Sequence, residues 1–333
     1  MKICVTGATG FVGSHLVEAL LARGHEVACL VRTPAKSARL FPDAPLRLAV
    51  GDLADPEALR DGCRDAEVVF HSAALTAARS RDEFFEVNAR GTARVLDAAA
   101  DVAPGLQHFV YVSSAAAAGP TSRGRLLVED DPPRPVTPYG ESKLAGERAV
   151  RERDLPWTIV RPPTVYGPRD PEMARAFKLA RWGVLPVFGD GRQELTAIHV
   201  RDLVAALQAV LTDETRGRTS FATHPEVFTT AHLVRRIYHA VRAARGDAAT
   251  TRTPPVLRVP APLTRAALAV TGTAAKLLGR RTLLASEKAN EFLADAWACS
   301  GAALTDATGW TAQTALDDGL HDTAHWYRAH GWI

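Results

Sequence analysis

The chain has 333 residues, 47% apolar and 23% charged, with a net charge of only +3. That composition suits a soluble globular protein of enzyme size, with two domains or one large domain and an appendage, and the even charge balance argues against a nucleic-acid partner. Four scattered cysteines (Cys4, Cys29, Cys63, Cys299) without a CxxC pair read as small buried hydrophobes of a reducing compartment.

No run of 18 apolar residues occurs, so no membrane span is expected. The first strand opens at Lys2 with no leader before it, and the expectation is a cytoplasmic protein. In chain order, "KICVTG" reads as that strand and "GSHLVEALLARG" as the first helix. Val12, Leu16 and Leu20 form the helix's apolar stripe, and Gly24 stands where a C-terminal cap belongs. The runs "EVACLV", "LRLAV", "EVVFHSA", "HFVYVSS" and "WTIVRP" follow, separated mostly by helical stretches such as "NARGTARVLDAAA". They are too short for helices and alternate little, as strands covered on both faces do. Strand and helix in turn predict an α/β fold, a doubly wound parallel sheet with right-handed crossovers.

The first strand ends in "TGATGFVG". Gly7 permits a tight turn, Gly10 lets backbone approach a pyrophosphate, and Gly13 lets helix and sheet pack closely. Thr9, Phe11 and Val12 complete the candidate cradle, at a helix N-terminus that favours negative charge. An NAD site places an acid near the end of the second strand, yet Val31 and Arg32 stand there with Lys36 behind. A guanidinium binds a ribose 2′-phosphate that an acid would repel, which favours NADP, with NAD as the alternative. A solvated arginine is the plain explanation to set beside this.

Further on, "TPYGESKLAGERA" places Tyr139 and Lys143 four residues apart at a helix start. A free tyrosine titrates near pH ~10, and a neighbouring cation lowers that value towards usable acid–base chemistry. Such a pair also arises by chance on helix surfaces, and the surrounding motifs must decide.

Those motifs run in order along nearly the whole chain: "TGATGFVG", "GDLAD" (51–55), "HSAA" (71–74), "NARGT" (88–92), "YVSSAAAAG" (111–119), "YGESK" (139–143), "RPPTVYGP" (161–168) and "AIHVRDLVAA" (197–206), closed by "GWTAQTALDDGLHDTAHWYRAHGW". The ordered series resembles the extended short-chain dehydrogenase/reductases, the NAD(P)-dependent epimerase/dehydratase group. The resemblance implies Tyr139 as proton donor or acceptor, and Lys143 as the group that lowers its pKa and holds the nicotinamide ribose. It implies Ser114 as donor to the substrate oxygen, with adjacent Ser113 as the rival and a cofactor neighbour. Asp52 and Leu53 would contact adenine, Ala73 and Ala74 would wall the cofactor channel, and Asn88 would lie near the site. Pro162 and Val165 would flank the nicotinamide. The family often pairs through helices beside the one bearing the tyrosine, so a homodimer is one expectation.

The expected division is an NADP-binding Rossmann domain over residues 1–165, to which 194–225 return, and a smaller substrate domain over 166–193 and 226–333. Nucleotide-sugar enzymes of the family carry an arginine where this chain has Leu195, and Arg192 is three residues too early. The segment 254–285 is rich in Leu, Val and Ala and resembles the 3β-hydroxysteroid dehydrogenase and dihydroflavonol reductase branch. Core packing or an oligomer face is its plainer reading, a wall for an apolar ketone a second, and membrane-surface docking through Arg280 and Arg281 a third. His321 and His325, four apart, read as a solvent-facing helix, and His71 and His199 as structural histidines. No metal is expected. The function expected is NADP(H)-dependent oxidoreduction of a ketone, aldehyde or secondary alcohol on a fairly apolar small molecule. The alternatives are a nucleotide-sugar epimerase or dehydratase that retains its cofactor, and a non-catalytic member of the fold.

Overall fold

The apolar runs become strands because each is covered above and below, as in His108–Val112, where all five residues are buried. In the computed structural model, which describes residues 1–247, 253–278, 281–282 and 286–333, six of them open the chain. These are β1 (Lys2–Thr6), β2 (Glu26–Val31), β3 (Leu46–Val50), β4 (Val68–His71), β5 (His108–Val112) and β6 (Trp157–Arg161). Four short strands follow, β7 (Thr164–Tyr166), β8 (Leu185–Phe188), β9 (Glu194–Leu195) and β10 (Ala197–His199), before β11 (Arg218–Phe221). The main sheet runs β3-β2-β1-β4-β5-β6-β11, and every pairing in it is parallel. Its order reverses between β1 and β4, the switch point at which the carboxyl ends of an open α/β sheet leave a ligand crevice.

Between the strands lie α1 (Phe11–Ala22), α2 (Pro34–Leu40), α3 (Pro56–Cys63), α4 (Arg81–Phe85), α5 (Gly91–Val102), α6 (Ala115–Ala118), α7 (Pro138–Arg151), α8 (Ala174–Arg181) and α9 (Val200–Ala209). One apolar core joins residues of α1 and α9 to one sheet face, and a second joins α3 and α5 to the other. The four cysteines are free and buried within these layers and at Cys299.

The last third holds β12 (Phe228–Thr229), α10 (Thr230–Ala244), β13 (Val256–Val259), α11 (Ala261–Leu277), α12 (Ala289–Phe292), β14 (Ala296–Trp297), α13 (Ala302–Thr308) and α14 (Leu316–Ala329). A third core gathers α8, α10 and α14 around Phe177, Ile237 and Tyr327. Two small sheets, β12-β9-β14 and β13-β8, stand beside the main one.

The segment read as core packing or an oligomer face is only partly covered within the chain. Of the long helix α11, Thr264 and Leu268 are buried, while Leu263, Val270 and Leu277 are exposed. An Ala- and Leu-rich composition suits either a covered or a bare helix, and here one narrow face alone is covered. Arg280 lies outside the described residues. No helix among the described residues is long and apolar enough to cross a membrane.

Candidate active site

The glycine turn after β1 has the shape of an anion cradle. Gly7 has φ +74°, and a Cβ there would lie 2.7 Å from the Ala73 backbone nitrogen, so the turn needs glycine twice over. A Cβ on Gly13 would lie 2.2 Å from the Gly7 carbonyl, which is how closely α1 meets the turn. No side chain caps α1 at Gly10 and no acid stands in its first turn. The helix start at Phe11, Val12 and Gly13 thus keeps its positive end for a ligand. Thr9 is half-buried in the same turn, and the Ala73 amide donates to Thr6 Oγ1 at 3.3 Å beside it. These features fit the pyrophosphate of a dinucleotide.

Arg32 and Lys36, after β2, are exposed, and among the described residues neither meets a carboxylate. Asp52 is also exposed, its Oδ1 accepting from the Ala54 amide at 2.8 Å, while Leu53 is buried under α5. Ala74 is half-buried after β4, Pro162 ends β6, and Val165 lies in β7 against the α1 side of the core. Asn88 sits in a single π-helical turn, Glu86–Arg90. Its Oδ1 accepts from the Leu75 amide at 2.8 Å, and its Nδ2 donates to the Leu75 carbonyl and to Ser142 Oγ, both at 3.0 Å. With its amide fully engaged, Asn88 ties the loop after β4 to α7.

Helix α7 carries the tyrosine. Thr137 caps it by accepting from the Gly140 amide, Pro138 fills the first turn, and Arg148 and Arg151 close the last. Tyr139 packs on Phe84 and faces a cavity of about 350 Å³, whose wall also includes Ser114. Ser114 caps α6, accepting from the Ala116 amide at 3.1 Å.

Ser113 points the other way. Its hydroxyl donates to Glu147 Oε1 at 2.7 Å, where Arg161 and Arg151 also donate to the same carboxylate. Glu147 and Arg161 are both buried. Burial pushes the Glu147 carboxyl up, but the Arg161 guanidinium outweighs it and holds the group below its ordinary value.

Lys143, expected to act on the Tyr139 phenol, is itself held at the end of β5. Lys143 Nζ is buried, donates to the Val112 carbonyl at 2.6 Å and lies 4.3 Å from the centre of the Tyr111 ring. Burial pulls its pKa down to about 7, against the Glu147 carboxylate. Burial likewise pushes the Tyr139 phenol up, hydrogen bonding with Ser114 draws it back, and the Glu172 and Glu291 charges push it higher. Desolvation is the largest of these influences, so Tyr139 is a protonated phenol at neutral pH.

The cavity wall is largely apolar: Val187, Phe188, Leu195, Leu233, Phe292 and Trp297 contribute, with Phe188 and Phe292 stacked at 4.6 Å. No arginine lines it among the described residues, and Arg192 is exposed at the turn before β9. One corner is polar. Lys288 pairs with Glu291, its Nζ lies 5.7 Å from the centre of the Tyr139 ring, and Thr137 donates to Glu291 at 2.9 Å. Gln193 and Trp297 donate to the Glu291 carbonyl and brace that corner. The sequence reading missed Lys288, Glu291 and Gln193, which come from segments without regular spacing. Arg161, a charge inside an apolar strand, signals a buried partner instead, and that partner is Glu147.

The histidine pairs lie elsewhere. His71 is buried between Thr6 and Thr92, with ring nitrogens 2.6 and 2.9 Å from their hydroxyls. His199 caps α9, and His321 and His325 are exposed on α14.

The chain is similar to known proteins over nearly its whole length. The family described as the NAD dependent epimerase/dehydratase family matches residues 3–222. A ceramide reductase of Caulobacter vibrioides is 34% identical, over 99% of this chain and 96% of that protein. A 2-alkyl-3-oxoalkanoate reductase of Stenotrophomonas maltophilia is 31% identical over 75% of this chain and 78% of its own. Among solved structures, MoeE5 in complex with UDP-glucose and NAD superimposes with a TM-score of 0.76 at 26% identity, covering 99% of both chains.

Proposed function

From the premise that this chain is an enzyme of the NAD(P)-dependent epimerase/dehydratase family, to which it belongs as an extended short-chain dehydrogenase/reductase, we propose that it catalyses NADP(H)-linked reduction of a ketone or aldehyde on an apolar small molecule, or the reverse oxidation. The observation that carries this reading is Tyr139 beside Ser114 on the wall of an apolar cavity. When bound, the nicotinamide supplies or accepts the hydride.

The chain's own groups handle the oxygen. Reduction leaves negative charge on the carbonyl oxygen, and Tyr139, protonated at neutral pH, is the group that delivers a proton to it. Ser114 Oγ donates a hydrogen bond to the same oxygen. Lys143, one turn along α7 and held by the Val112 carbonyl, provides positive charge as the phenol loses its proton. The turn 7–13 would hold the pyrophosphate, and Arg32 with Lys36 a ribose 2′-phosphate. Ala73, Ala74, Pro162 and Val165 would wall the channel between the two ends of the cofactor.

The apolar wall and the relatives named for ceramide and 2-alkyl-3-oxoalkanoate reduction support a carbonyl on an alkyl-bearing substrate. The paired Lys288 and Glu291 offer a donor and an acceptor with no net charge, which suits a neutral polar head beside the carbonyl. The likeness to MoeE5 supports a second reading, a nucleotide-sugar enzyme. Leu195 and the wall without arginine weigh against it. A thermal-shift comparison of NADPH, NADH and UDP-glucose tests both. A larger shift with NADPH and none with UDP-glucose is the expected result, and a large shift with UDP-glucose favours the second reading.

A further inference from the structure

We propose that α11 and the strand before it dock this protein on an anionic lipid surface. Exposed large apolar residues collect there: Leu257 at 57%, Leu263 at 61%, Val270 at 69%, Leu277 at 83% and Leu278 at 68% exposure. Leu263, Ala267, Val270, Ala274 and Leu277 step by four and three, so they share one face of the helix, away from buried Thr264 and Leu268. A soluble surface rarely carries an apolar stripe of four turns without a partner.

Neighbouring structure extends the patch. Strand β13, which bears Leu257, pairs in parallel with β8, and Pro254 lies 3.5 Å from where a Cβ on Gly183 would be. Beside Gly183, Trp182 is 76% exposed and Val184 40%. An exposed tryptophan at the margin of an apolar face suits the boundary between headgroups and acyl chains.

Charge identifies the occupant. Between Asp247 and Glu287 the chain carries Arg252, Arg258, Arg265, Lys276, Arg280 and Arg281 and no acidic residue. Arg281 is engaged by Glu83. Arg258 and Arg265 are exposed, and among the described residues neither meets a carboxylate. A second copy seated on this face would bring like charges together with no acid in the segment to pair them. An anionic bilayer offers both the apolar phase and the opposite charge. The helix also adjoins the 286–292 segment that supplies Lys288, Glu291 and Phe292 to the cavity wall, so the docking face and the substrate cavity are neighbours.

The test is flotation of the full chain with phosphatidylcholine vesicles, with and without phosphatidylglycerol, at low and high salt. Binding is expected with phosphatidylglycerol at low salt, weakening as salt screens the charges. Val270→Glu with Leu277→Glu should reduce it roughly tenfold. Arg258→Gln with Arg265→Gln should reduce it on the order of tenfold while leaving the apolar stripe intact. Thermal melts that match the parent would show both variants folded. Failure of the parent chain to float with phosphatidylglycerol vesicles overturns the proposal. So does a dimer in solution that Val270→Glu dissociates, which would assign the face to a second copy.

Discussion

Ser113 Oγ donates to Glu147 Oε1 at 2.7 Å, while the next residue, Ser114, turns into the cavity with Tyr139. Adjacent residues at the end of a strand point to opposite sides, and here one braces a buried carboxylate and the other serves the site. Ser113→Ala should therefore cost about 1–3 kcal/mol of stability by removing a donor from a buried acceptor, with turnover largely kept. Ser114→Ala should cost about 0.5–2 kcal/mol through the lost α6 cap and lower kcat by roughly 10- to 1000-fold. Urea unfolding and steady-state rates on both variants check this, and a stable but inactive Ser113→Ala would reverse the assignment.

The ion pair below the site is a structural device with a large expected effect. Glu147 accepts from Arg161 at 2.7 and 2.6 Å, and both side chains are buried. Arg161→Met removes the main partner and leaves a charge in a dry interior, which should destabilise the chain by about 3–5 kcal/mol. Denaturant unfolding reads it directly. A loss below ~1 kcal/mol would mean that Arg151 and Ser113 suffice to hold the carboxylate.

Much of this was legible from residues alone, for a physical reason. The six apolar runs and the glycine turn lie in stretches where local sequence and fold coincide, and Ser114 and Tyr139 line one cavity. Lys288, Glu291 and Gln193 escape such a reading because short irregular segments bring them to Tyr139. The burial that pushes the Tyr139 phenol up is a property of the folded whole, whereas the four-residue spacing to Lys143 is local. Helix α11 shows the same limit: composition gave its apolar character, and only the packing decided which face is left bare.

Two buried histidines should make the fold acid-sensitive. Burial, aided by the Lys143 charge, pulls His71 down to about 3, and burial pulls His199 to about 4. Both folded values lie below the ordinary 6.5, so the unfolded chain takes up protons first as pH falls. Their contribution is complete above pH ~6.5 and is lost below it, each histidine costing up to about 1.4 kcal/mol per pH unit until its folded pKa is reached. His71→Gln keeps hydrogen bonding to Thr6 and Thr92 within reach and should flatten the dependence. Urea midpoints at pH 7 and pH 5 measure the slope, and an equal slope in variant and parent would remove His71 from the explanation.

The proposal of NADP over NAD rests on Arg32, exposed after β2 without a carboxylate among the described residues. Arg32→Ala should raise the Kd for NADPH by roughly tenfold, the worth of a charge-assisted contact, and leave that for NADH within about twofold. Calorimetric titration of both cofactors checks it. Equal losses for the two would mean that Arg32 does not read the 2′-phosphate.

The most direct measurement of the central claim is the absorbance of NADPH when the enzyme is given an apolar alkyl ketone, with Tyr139→Phe run beside it. The account predicts substrate-dependent oxidation of NADPH that falls by about 10²- to 10⁴-fold in the variant, while NADPH still raises the melting temperature of both proteins. Turnover by Tyr139→Phe at most of the parent rate, with its cofactor bound, would contradict it.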